Sequence, residues 1–216
     1  PALRIGRAGG KAVTTPARAT IRADRALIWC NAYIGGLEPK TAAHVMPIRS
    51  FIGATVPLDR FPSVIPCGEA IADTRFVVRY FRKTRDGRLL FGGREAYSEN
   101  LDDMTPPIRR QIEGVYPELK GIELTHAWGG SVGITMPRKP YVREVMPGIT
   151  TIGGYSGHGV MLANYCGKLY AEDVTGGSAE LDHLKALKIP AFPGGARFRT
   201  PLLFLAMTWY ALRDKL

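Results

Sequence analysis

Residues Thr150-Thr151-Ile152 run directly into Gly153-Gly154-Tyr155-Ser156-Gly157-His158-Gly159-Val160, and from Met161 to Val174 the pattern is helical. Four glycines within seven residues let backbone approach a ligand without Cβ obstruction. A helix starting at once after them turns the free N–H groups of its first turn toward the same space. Such an end favours negative charge, so the chemistry on offer is the holding of an anionic group by backbone rather than by side chains. A glycine turn that merely starts a helix has the same spacing. The dinucleotide fingerprint also fails, because the third small residue it needs would fall at Leu162, and no other stretch supplies the pattern.

Few other residues have spacing that suggests chemistry. No acid and base pair is evident, and His158 alone reads as a packed or hydrogen-bonded loop residue without a proton-transfer role. Trp128 reads either as a core residue of a sheet or as a wall beside a ligand. Arg94, at a strand end, is either exposed or available to a substrate carboxylate. Cys30, Cys67 and Cys166 lie far apart without a CxxC pair, which indicates neither a disulfide framework nor a metal site and fits a reduced, cytoplasmic setting. Cys30 in an apolar strand and Cys166 in a helix read as buried structural thiols.

The elements that must position the glycine loop follow from pattern. Short strands are expected at Ala2 to Ile5, Ala12 to Thr15, Ala19 to Arg22 and Arg25 to Ala32. Longer β segments follow at Arg49 to Pro57, Phe76 to Thr84 and Arg88 to Gly93, the last two joined through Asp86-Gly87, a strong hairpin signal. Thr105-Pro106 caps a helix that reaches Tyr116 and ends at Pro117. Ile122 to Trp128 reads as a strand, Gly129-Gly130 as a turn or bulge, and Val132 to Thr135 as its continuation. Pro137, Pro140 and Pro147 punctuate a connection to Thr150. Ser178 to Leu187 is a short helix, and Thr200-Pro201 caps a last one that is apolar on nearly every face from Leu202 to Leu212. Such a helix needs cover from the core, a partner subunit or a further domain.

Composition narrows the class. The 216 residues suffice for one large domain or two small ones, and 45% hydrophobic with 22% charged residues is ordinary for a soluble globular chain. The net charge of +10 comes from scattered residues with no basic helix, zinc-ligand spacing or RNA-binding strand signature, so nucleic acid is not an expected partner. The longest apolar run, Pro201 to Leu212, is too short to span a bilayer, so no membrane span is expected. The chain begins at Pro1, directly before strand-like sequence, which suggests a start other than a natural beginning.

Together, Ala23-Asp24 before an apolar strand, Leu90-Phe91-Gly92-Gly93-Arg94, Ala127-Trp128-Gly129-Gly130 and Gly154-Tyr155-Ser156-Gly157-His158-Gly159 resemble, in order and spacing, the FAD-dependent oxidoreductases of the D-amino-acid oxidase superfamily. The resemblance is greatest to the gamma-glutamylputrescine oxidase group, with which the ending Phe198-Arg199-Thr200-Pro201-Leu202-Leu203 to Trp209-Tyr210-Ala211-Leu212-Arg213-Asp214 also agrees. It covers essentially the whole chain but leaves out the family's opening strand, GxGxxG loop and helix, so the chain resembles the C-terminal part of such an enzyme.

The resemblance implies an α+β or α/β fold: residues 1–43 as the remainder of a split FAD-binding domain, 44–138 as an antiparallel substrate domain, 139–176 as the return to the FAD domain, and 177–216 as a C-terminal helical segment. It implies FAD as cofactor, with Gly154, Tyr155, Ser156, Gly157, His158, Gly159, Val160 and Met161 along the flavin's pyrimidine edge, where reduction places negative charge. Trp128 and Arg94 become candidate substrate contacts. Sarcosine oxidases, relatives in the superfamily, carry a Lys for the substrate carboxylate where Met161 stands, which points toward a longer amine than a simple amino acid. The implied partners are a small-molecule amine and either the missing N-terminal half or a second copy. The alternatives are a truncated non-catalytic chain and a subunit completed by a separate ADP-binding half.

Overall fold

In a computed structural model, the structure describes residues 2–16, 19–75, 77–96, 103–195 and 205. The backbone divides into two units, residues 1–48 with 132–203 and residues 49–131 with 204–216.

The first unit opens with a meander of β1 (Ala2–Ala8), β2 (Lys11–Pro16) and β3 (Ile21–Ala23), paired antiparallel in that order. Its second sheet contains β4 (Ala26–Ile28), which is much shorter than the strand expected from Arg25 to Ala32. Asn31 explains the early stop. It takes a left-handed backbone, φ 46°, which asparagine tolerates and a strand does not, and a 3-10 turn over Asn31–Tyr33 follows. Cys30 therefore caps that turn and is only partly buried, rather than lying inside a strand. A helix the pattern does not announce, α1 (Pro39–His44), starts on Glu38, whose carboxylate accepts hydrogen bonds from the Lys40 and Thr41 N–H groups.

The second unit is built on a five-stranded sheet. Its strands are β5 (Met46–Pro57), which begins in the first unit, β6 (Ala70–Ala72), β7 (Tyr80–Lys83), β8 (Arg88–Ala96) and β9 (Leu124–Ile134), which ends in the first unit. Their order is β6-β7-β8-β5-β9. The Asp86-Gly87 hairpin forms as expected, with Gly87 at φ 79°. β7 covers only the end of the expected Phe76–Thr84 strand, because Asp73 folds the preceding loop by accepting hydrogen bonds from Arg75 and Arg79.

Gly129-Gly130 does not turn the chain, since β9 runs through both residues. Gly129 is needed for packing instead: the Phe51 ring lies where its Cβ would be, at 2.5 Å. Helix α2 (Thr105–Val115) packs Ile108 and Ile112 onto Phe51, Phe81 and Phe91. Its cap differs from expectation: Met104 is the N-cap without a side-chain bond, and Asp103 accepts from the Thr105 N–H at 2.8 Å.

Back in the first unit, the proline-rich connection contains a strand, β10 (Tyr141–Met146), which forms a hairpin with β11 (Ile149–Gly153). β11 also pairs parallel with β4, so it sits mid-sheet and all five of its residues are buried. Ile152 faces a cluster with Val142, Tyr155, Cys166, Leu169 and Leu181, while Ile149 faces Ala12, Ile28, Ile34 and Ala42. Helix α3 (Gly159–Thr175) supplies Cys166 and Leu169, and α4 (Ala179–Ala186), capped by Ser178, supplies Leu181. The expected last helix from Leu202 to Leu212 falls, apart from Leu205, outside the described residues.

Candidate functional site

The glycine loop leaves a strand buried on both faces and enters a 17-residue helix, so both its ends are fixed by core packing. Within it the backbone is left-handed at Gly154, Ser156 and Gly157, with φ of 66°, 52° and 97°. Bonds to distant residues hold the non-glycine member in that region. The Ser156 N–H donates to the Gly133 carbonyl at 2.8 Å, and Ser156 Oγ accepts from the Thr135 N–H at 3.2 Å. Asn31 Oδ1 accepts from the Gly154 N–H at 2.9 Å and lies close enough to Gly133 that a Cβ there would overlap it. Asn31 thus ends β4 and anchors the loop.

All eight loop candidates lie in one turn of chain, but they divide into two groups. Gly154, Tyr155 and Ser156 are buried and bonded inward. Gly157, His158, Val160 and Met161 are exposed, Val160 at 91% and Met161 at 65%, and Gly159 is half-buried. A Cβ added at Gly157 would meet nothing within 4 Å.

The starts of α3 and α4 differ. α4 has Ser178 as a capping side chain and Glu180 and Asp182 in its first turn, which satisfy N–H groups and offset the positive end of the dipole. α3 is longer, has no capping bond from His158 and carries no acidic residue in its first turn. Its positive end is left to solvent beside the open face of Gly157.

Tyr155 lies beneath the loop, 3% exposed, and its hydroxyl has no hydrogen-bond partner among the described residues. Burial first, then the neighbouring Cys166 thiol, push its pKa well above the ordinary phenol value. The Trp29 indole N–H, near but not in hydrogen-bond geometry, pulls weakly the other way. Trp29 in turn lies over Gly167 of α3, where a Cβ would come within 2.8 Å of the indole. Burial raises the Cys166 thiol as well, which keeps it protonated and unreactive at neutral pH.

Trp128 belongs to the second unit, on edge strand β9, and is 47% exposed rather than core. Arg94 is in β8 opposite Phe51, next to Gly93 at φ 145°, and its side chain is outside what the structure describes. On β5, the Arg49 guanidinium carbon lies 5.7 Å from the centre of the Phe51 ring, and Arg49 Nε is buried without a partner among the described residues.

Sequence reasoning missed Asn31, Gly133, Thr135 and Arg49. Asn31 offered a faint signal as an asparagine after an apolar strand, but its partner is 123 residues away. Among the described residues no cluster of His, Cys, Asp and Glu could hold a metal, and no helix is long and apolar enough to cross a membrane.

The fold is that of the flavin-dependent amine and amino-acid oxidoreductases. The chain superposes on L-proline dehydrogenase from P. horikoshii with a TM-score of 0.68 at 17% identity, covering 86% of this chain and 52% of that one. It superposes on glycine oxidase from Bacillus cereus with a TM-score of 0.66 at 17% identity, covering 84% and 52%. Residues 1–173 match the family described as DAO, FAD dependent oxidoreductase, and the chain belongs to that family.

Among curated relatives, a probable oxidoreductase OrdL of Rhizobium meliloti is 69% identical over 215 residues, spanning 99% of this chain and 50% of that protein. The gamma-glutamylputrescine oxidoreductase of Escherichia coli is 32% identical over 209 residues, spanning 95% and 49%. The chain therefore spans about half the length of the curated relatives it matches.

Membership implies FAD, and the loop fits such a group. Its exposed half has room at Gly157 for close approach, and the first turn of α3 has no internal anion to compete with a ligand's charge.

Proposed function

We propose that this chain carries the flavin-ring side of an FAD-dependent oxidoreductase that oxidises an amine, of the kind acted on by gamma-glutamylputrescine oxidoreductase, to an imine. The observation that carries this reading is the contrast within one loop: residues 154–156 are pinned inward while 157–161 and the uncapped start of α3 face outward. Bound FAD would supply the redox chemistry by accepting a hydride from the carbon that bears the amine. The backbone N–H groups of Gly159, Val160 and Met161 would stabilise negative charge at the pyrimidine edge. Val160 and Met161 would keep water from that edge. Trp128 would wall the substrate and Arg94 would meet a carboxylate on it, within residues 49–131 acting as the substrate-binding unit.

Family membership and the similarity to gamma-glutamylputrescine oxidoreductase support the amine class. A second reading, that FAD is retained only with an additional ADP-binding portion, is favoured by the absence of a GxGxxG pattern in a chain half as long as its relatives. Flavin absorbance of the purified chain, alone and with the remaining portion of a relative supplied, separates the two. Gly157→Val combined with Gly159→Val is expected to remove flavin from the completed protein while its β-sheet circular dichroism is kept. Undiminished flavin content in that variant would overturn the loop assignment, and peroxide-linked or dye-linked screening of amines tests the substrate class.

A further inference from the structure

Two methionines stand out from the packing. Met161 is 65% exposed and Met136 is 49% exposed, whereas Met46 and Met104 are buried. Both exposed methionines belong to the segments that build the glycine loop. Met161 is the third residue of α3, and Met136 follows Thr135, whose N–H donates to Ser156 Oγ and whose methyl lies against Gly154. An exposed thioether is open to oxidation, which turns a flexible apolar side chain into a polar one.

At Met161 that change alters what the helix start presents. A sulfur lone pair attacks one oxygen of hydrogen peroxide, the S–O bond forms, the O–O bond breaks and water leaves. Sulfur loses two electrons and the peroxide gains them. The new oxygen sits on the δ atom of the side chain, where glutamine and glutamate carry theirs. Those two residues, at the third helical position, reach back to N–H groups at the helix start. Here such donors are open. The Leu162 N–H makes the first bond of the helix, to the His158 carbonyl at 3.0 Å, and the N–H groups of Gly159, Val160 and Met161 precede it. The His158 N–H is already given to the Tyr155 carbonyl, so the sulfoxide oxygen turns to the other three. Oxidation thereby supplies the capping acceptor that the sequence of α3 lacks.

We propose that Met161 is a site of reversible oxidation, whose sulfoxide caps α3 and competes with the negative edge of a flavin for the same N–H groups. A thiol-dependent sulfoxide reductase reverses the change: two thiols become a disulfide and the oxygen leaves as water. The competition rests on the flavin reading above, and the capping does not.

The test begins with brief hydrogen peroxide treatment of the 216-residue chain and peptide mass mapping. Met161 and Met136 are expected to gain an oxygen before Met46 and Met104 do. Melting temperatures are then taken in the Met136→Leu chain, so that Met161 is read alone. Peroxide treatment, or the added change Met161→Gln without peroxide, should raise melting by about 2–4 °C, the size of one cap interaction. With Met161→Leu added instead, peroxide should produce no rise. In the completed protein, oxidation and Met161→Gln should each weaken flavin binding about fivefold. The reductase should restore binding to the oxidised sample and leave Met161→Gln unchanged. The proposal is overturned if Met161 resists peroxide while Met46 or Met104 reacts, if melting is unchanged once Met161 is oxidised, or if Met161→Leu responds to peroxide as fully as the parent. A completed protein that holds no flavin before oxidation refutes the flavin reading and the competition with it, whereas unchanged flavin affinity after oxidation refutes the competition alone.

Discussion

Gly154 and Gly157 share a left-handed backbone but not a surrounding. A Cβ at Gly154 would stand 2.5 Å from Thr135 Cγ2 in a buried setting, whereas one at Gly157 would enter open space. Gly154→Ala therefore combines backbone strain with a clash and is expected to cost about 2–4 kcal/mol, against about 1 kcal/mol for Gly157→Ala. Urea unfolding of the two variants measures both, and equal losses would contradict the packing described. Tyr155 gives a second prediction. A phenol whose pKa is raised in the folded state binds its proton more tightly there, so its contribution is whole below the unfolded value of about 10 and is lost as pH rises beyond it. Tyr155→Phe should flatten the alkaline part of the stability profile. Because the hydroxyl has no partner among the described residues, the change should cost less than about 1 kcal/mol at neutral pH. Thermal melts from pH 8 to about pH 11, the range over which a free phenol titrates, provide the readout.

The element that matters most for the proposed function is the start of α3. It lacks an acidic residue, and Val160 stands there almost fully exposed. Val160→Glu places a carboxylate on the positive end of the helix dipole and should stabilise the flavin-free chain by about 0.3–1 kcal/mol. The same carboxylate would repel the negative edge of a reduced flavin. Stability is therefore expected to rise while flavin affinity in the completed protein falls, a pair of opposite signs that calorimetry and absorbance can read separately. A fall in both would place Val160 in packing rather than beside a ligand. Strand β9 shows what letters alone leave open: Gly129-Gly130 reads as a turn or bulge within a strand that continues, and the strand runs through both residues because Gly129 gives room to the Phe51 ring, a partner 78 positions earlier that no local pattern announces.

At the scale of the whole chain, the two units have separate clusters: that of residues 49–131 is built around Phe81, Phe91, Ile108 and Ile112, and those of the other around β11, α1 and α3. Gly53 lies in the first of these, where a side chain would overlap Leu124 and come within 2.9 Å of Ile108 Cγ2. Gly53→Val should loosen that cluster by several kcal/mol. Hydrogen exchange is expected to quicken in β5, β8 and α2 while β11 and α3 keep their protection, and equal loss everywhere would show that the units unfold as one.

Sequence by itself determined what is local or rests on covalent order. The Asp86-Gly87 hairpin, the helices begun near Thr105 and Ser178, and the strand, glycine loop and helix at residues 149–175 are each set by a few adjacent residues whose backbone preferences agree. The resemblance carried by the glycine loop together with Ala23-Asp24, Leu90 to Arg94 and Ala127 to Gly130 agrees with the family to which residues 1–173 match. Only the tertiary structure decided how the loop is held and which part of it is free. Asn31 is anchored to Gly154 across 123 residues, Ser156 is kept in a left-handed conformation by Gly133 and Thr135, and β10 forms within a proline-rich stretch because β11 offers it an edge. Those outcomes depend on contacts between residues far apart in the chain. The same is true of burial, which divided one uniform-looking glycine run into an inward half and an outward half.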